Sequence, residues 1–266
     1  MLFRSDALLR FEFTRIWTGN ESQNVENPPE IGEESVAVVL ERADAQAPWR
    51  LVSPIEADAD QERVSELANE VQFAVASGHV DNPEDLSDYG LEPPRARITV
   101  NAEKDKTAQT IFLGGIDQSE NDNKGGGGGL FAKREGQDAV FLMDPHIVSL
   151  LPRTPDGLRE RRLMTRPALE MSKLELETPA ERIVLAEDDA GVWCMQAPQT
   201  GDADQQAISS FIAALKEMRA TSFPDGPAAR YGLDAPPVLL RMHFDAGPPE
   251  IRLAPNPDNT DYYYAT

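Results

Sequence analysis

Two acidic stretches hold the residues whose types and spacing come nearest to a metal site. Asp58, Asp60 and Glu62 stand at alternate positions, the spacing at which the first ligands of a calcium loop converge on one ion, and Asp202 and Asp204 repeat the first two. A calcium loop also needs Gly at its sixth position, for the sharp turn, and a bidentate Glu at its twelfth. Here those positions are Arg63 and Asn69. The four aspartates are therefore weak metal candidates, and helix capping accounts for them better. An Asp stands three residues before a Gln in both stretches, Asp58 with Gln61 and Asp202 with Gln205. Such a pair can satisfy each other's free backbone N–H groups at a helix start.

Other reactive residue types lack the partners their chemistry requires. Gly125 to Gly129 could suggest a phosphate cradle, but a nucleotide loop carries Lys and Ser or Thr after its last Gly, at a helix start. Here Lys124 precedes the run and Leu130-Phe131 opens a strand, so a flexible hairpin linker is expected. Asn256 to Asp261 is rich in oxygen ligands, in residue types that turns use anyway. His79, His146 and His243 have neither a Gly-x-Ser-x-Gly nucleophile nor His-x-x-x-His spacing beside them, and Cys194 follows Trp193 inside a strand. No catalytic residue and no cofactor is expected. One basic concentration stands out: Arg153, Arg159, Arg161, Arg162 and Arg166. Their guanidinium forks suit an anionic ligand, and equally suit carboxylates and carbonyls of two lobes that the segment joins.

The chain that must position these residues has 266 residues, 25 Lys and Arg against 46 Asp and Glu, and a net charge of −21. That field repels nucleic acid and anionic lipid surfaces. Apolar residues make up 40%, which excludes wholesale disorder, and a single cysteine excludes an internal disulfide and a cysteine-cluster zinc site. The longest aliphatic run, Val36 to Leu40, is far short of the roughly 18 residues of a membrane helix. Leu8, Leu9, Phe11 and Phe13 lead at once into strand-like sequence, so we expect that an upstream segment has been removed.

Self-similarity organises the chain. Trp49-Arg-Leu-Val-Ser-Pro54 matches Trp193-Cys-Met-Gln-Ala-Pro198, 144 residues later, and the match runs on into Asp58-Ala-Asp60-Gln61 and Asp202-Ala-Asp204-Gln205. Tyr89-Gly-Leu-Glu-Pro-Pro94 faces Tyr231-Gly-Leu-Asp-Ala-Pro236. We read tandem copies, residues 1–165 and 166–266. After each Asp-Ala-Asp, apolar residues recur at helical spacing: Val64, Leu67, Ala68, Val71, Val75, and Ile208, Phe211, Ile212, Leu215, Met218. After each Tyr-Gly-Leu, alternation predicts a strand with Ala96, Ile98, Val100 or Val238, Leu240, Met242, Phe244 inward. Further strands are expected at Leu9–Trp17, Val36–Leu40, Thr110–Leu113, Leu130–Arg134, Ala139–Met143, Met171–Glu177 and Arg182–Ala186, with surface loops at Gly19–Glu34 and Asp117–Gly129. The fold class is α+β: two pseudo-symmetric lobes, each a mostly antiparallel sheet with one long amphipathic helix packed on it. Trp49, Pro54, Tyr89, Trp193, Pro198 and Tyr231 are its structural anchors. Tyr263-Tyr-Ala265 aligns with Leu130-Phe-Ala132, so the second lobe reads as incomplete at its C-terminal side.

This series, Trp-x-x-x-x-Pro, Asp-Ala-Asp, a helix, Tyr-Gly-Leu-x-x-Pro and an alternating strand, resembles the bacterial and archaeal family called domain of unknown function 4340. The likeness extends to Phe112-Leu-Gly114, Leu130-Phe-Ala, Val140-Phe-Leu and Leu158-Arg-Glu-Arg-Arg-Leu163. The resemblance implies no catalytic residues, and it implies an extracytoplasmic envelope protein held by an N-terminal membrane helix, some members accompanying gliding-motility-type transporters. Two function classes follow. One is a non-catalytic binding or scaffolding module with a protein partner, no nucleic-acid partner, membrane contact only through the missing anchor, and self-association at an edge strand. The other is a hydrolase or cation-dependent enzyme using the acidic loops or the arginine junction.

Overall fold

The computed structural model describes residues 8–16, 35–102, 108–117, 128–244, 250–258 and 263–266. The expected loop Gly19–Glu34, most of Asp117–Gly129 and Trp17 of the first expected strand lie outside them. The chain divides into two compact units, residues 1–160 and 161–266. Residues 161–163 bond to the chain just after the second unit's helix, through Ala220 N–H to Arg161 O at 2.7 Å and Leu163 N–H to Met218 O at 3.3 Å.

In the first unit the described strands are β1 (Leu8–Ile16), β2 (Ser35–Glu41), β3 (Arg50–Ser53), β4 (Ala57–Asp58), β5 (Gly78–Val80), β6 (Ala96–Ala102), β7 (Gln109–Ile116), β8 (Leu130–Arg134) and β9 (Val140–Met143). They form one antiparallel sheet in the order β4-β3-β2-β1-β6-β7-β8-β9-β5. The alternation of β1, β6 and β7 sends Phe11, Phe13, Ile98, Val100, Ile111 and Leu113 to one face, where all are buried. Helix α1 (Gln61–Phe73) lays Val64, Leu67 and Val71 on that face, and the short α2 (His146–Leu150) packs against α1. The expected inward Val75 falls beyond the helix, which ends at Phe73, and is exposed.

The second unit repeats the plan. Its described strands are β10 (Lys173–Glu177), β11 (Arg182–Glu187), β12 (Trp193–Ala197), β13 (Gly201–Asp202), β14 (Val238–His243), β15 (Glu250–Pro255) and β16 (Tyr263–Ala265). They lie in the order β13-β12-β11-β10-β14-β15-β16, strand for strand the first seven of the other sheet. Leu174, Leu240, Met242 and Ile251 form the core face, and α3 (Gln205–Glu217) covers it with Ile208 and Leu215.

Both helices start in one way, which differs from the expected one. The N-caps are Asp60 and Asp204, whose carboxylates accept from Glu62 N–H and Arg63 N–H, and from Gln206 N–H and Ala207 N–H. Asp58 and Asp202 sit one step earlier, in β4 and β13, because the Asp-Ala-Asp backbone is still extended there. The glutamines do not close a capping box. Gln61 Oε1 accepts from Trp49 N–H at 2.8 Å, and its Nε2 donates to Trp49 O at 2.9 Å and Ala59 O at 2.7 Å. Gln205 does the same with Trp193 (3.1 and 2.7 Å) and Ala203 (2.9 Å). Each helix is thereby fastened to the strand that carries the buried Trp.

The Tyr-Gly-Leu turns have their own necessity. Each ends a 3-10 turn at a left-handed glycine, Gly90 at φ 62° and Gly232 at φ 72°. In the first unit the turn lies on Gly114: a Cβ there would meet Tyr89 O at 2.3 Å. The Tyr rings then pack edge to face on Phe131 (5.0 Å) and tilted on Tyr264 (4.6 Å). Pro54 and Pro198, which follow cis peptide bonds, close the two Trp strands.

Replacing Asp60 or Asp204 by Ala is expected to lower unfolding free energy by about 0.5–2 kcal/mol through loss of the cap. Asp58→Ala, which removes only an exposed pair with Arg50, is expected to stay within about 0.5 kcal/mol. Trp49→Ala is expected to cost about 3–5 kcal/mol. Urea titrations of the four variants check the order.

Candidate functional site

A network of paired charges lies on the face of the second sheet opposite its core. On β10, Lys173, Glu175 and Glu177 alternate with the inward Leu174 and Leu176. The pairing register sets Lys173 opposite His243, Glu175 opposite Arg241 and Glu177 opposite Arg182. Glu175 is 5% exposed, the one buried acid among the described residues. Its carboxylate pairs with Lys173 at 2.7 Å and Arg182 at 2.6 Å, and Glu177 takes Arg182 at 3.3 Å and Arg241 at 3.0 Å. Hydrogen bonds from Lys173 and then Arg182 outweigh desolvation and hold the Glu175 carboxyl down at about 2. His243 Nε2 lies 2.9 Å from Glu175 Oε1 without a hydrogen-bonding direction, so it adds contact but no bond. An acid held ionised with both oxygens engaged gives up no proton near neutrality. The network is an electrostatic staple across three strands. Glu12 takes the same place in the first sheet, between Val39 and Thr99, beside Arg10, which pairs with both Glu12 and Glu41.

The residues singled out from sequence are spread apart. Asp58 pairs with Arg50 at 2.8 Å, Asp60 and Asp204 cap helices, and Asp202 is exposed on β13. Among the described residues no group of three or more His, Cys, Asp or Glu is placed to hold a metal ion. Of the arginines, Arg153 and Arg159 fall in the first unit and Arg161, Arg162 and Arg166 in the second. Each of those with described geometry is engaged locally. Arg159 pairs with Asp156 at 3.7 Å, Arg161 donates to Ala220 O and Thr221 O and lies over Phe223, the backbone of Arg162 pairs with that of Arg219, and Arg166 lies over Phe244. Trp49 and Trp193 are buried core anchors.

An open sheet edge is the third feature. β16 pairs with β15 through Leu253 with Ala265, Ala254 with Tyr264 and Pro255 with Tyr263, and among the described residues nothing pairs with its other side. Tyr264 is anchored on Tyr231, while Tyr263 is 59% exposed. In the first sheet the corresponding strand, β8, carries β9 on that side. Glu175 and its partners escaped the sequence reading because their convergence depends on strand register. The signal was there in the Lys-Leu-Glu-Leu-Glu alternation of 173–177 and in Arg241 and His243 on one strand face.

Comparison with known families matches residues 49–236 to the family described as Domain of unknown function (DUF4340). No curated protein and no solved structure matches.

The staple predicts an acid-side stability loss. Above about pH 4.5 Glu175 is ionised folded and unfolded, and its stabilisation is fully present; as pH falls from there to about 2, the unfolded chain takes up a proton that the folded one refuses. Unfolding free energy is therefore expected to fall across that window. In Glu175→Gln the fall is shallower, and at pH 7 the variant is expected to be less stable by about 1–3 kcal/mol. Urea midpoints between pH 7 and 2.5 measure both.

Proposed function

We propose, from the premise that the chain belongs to the domain of unknown function 4340 family, that it is a non-catalytic binding module that accepts a partner strand at the open edge of its second sheet. The observation that carries this reading is β16. Among the described residues it presents one free edge and an exposed Tyr263, while Tyr264 and Tyr231 hold the strand in place. Strand addition draws affinity from backbone hydrogen bonds and specificity from alternate side chains, and such an edge supplies both. We further propose that the module works in the cell envelope, as part of a protein anchored by a membrane helix and auxiliary to a transporter or motility complex. No helix among the described residues is long and apolar enough to cross a membrane, so that anchor would belong to another segment.

The purified chain gives a direct test, because a second copy can serve as surrogate strand once salt screens its net charge. Sedimentation velocity is expected to show monomers at low salt and association as salt and concentration rise. Tyr263→Lys, which sets a charge on the edge, is expected to abolish the association. A chain that stays monomeric under all these conditions, or associates equally with Tyr263→Lys, overturns the edge reading.

A further inference from the structure

We draw no further inference here: the strongest candidate, the surface patch of Phe73 and Val75 exposed where the chain passes from α1 to β5 at the rim of the first sheet, carries nothing because nothing in the structure shows what covers it.

Discussion

A strand that begins at a buried tryptophan has a difficulty at its first residue: the backbone N–H and C=O there are shielded from water before any neighbouring strand supplies partners. In this chain one glutamine amide satisfies both groups of Trp49, and another satisfies both of Trp193. A buried donor or acceptor left unpaired costs about 1–3 kcal/mol, so each clamp protects several times the net worth of an ordinary bond. Its larger effect is geometric. The glutamine is the first residue of the helix, so binding the Trp strand fixes where the helix begins and which face turns inward. From that register, 3.6 residues per turn place Val64, Leu67 and Val71, or Ile208 and Leu215, over the sheet.

Much of this was legible in the sequence because it is periodic. Period two named the inward residues of β6 and β14 correctly, since a half-buried strand has no other way to segregate apolar side chains. The helical stripe also held, apart from Val75 and Phe211. Val75 fails because the chain leaves the helix at Phe73 to form β5, and Phe211 because a helical face is buried only if something covers it. The cap was misplaced for a similar reason. Asp58 and Asp60 are both good N-cap residues by type. Only the pairing of β3 with β4, a contact between segments, decides that Asp58 is still strand.

The site was less legible. A buried carboxylate held by Lys173 and Arg182 is a product of register between β10 and β11, with Arg241 and His243 brought to the same patch by β14. A one-residue slip would send Glu175 to the core side and Leu174 out, which is strong pressure on the pairing. The staple therefore contributes specificity of register beyond its own energy. The arginine run between the units was visible as composition, but its destination was not. Guanidiniums lie over Phe223 and Phe244 and bond to carbonyls, which are local solutions to termini and turns.

Open edges are a hazard that sheet proteins ordinarily suppress, and the first unit shows how this chain does so: β4 is shut by residues 158–160, whose backbone pairs along Asp58 to Asp60, and β8 by β9. In the second unit no described segment lies on the outer side of β13 or β16. A net charge of −21 supplies a general defence, since two copies approaching edge to edge bring like charges together before any backbone bond forms. The defence is selective in sign. It weakens pairing between acidic copies and does not oppose the approach of a cationic segment.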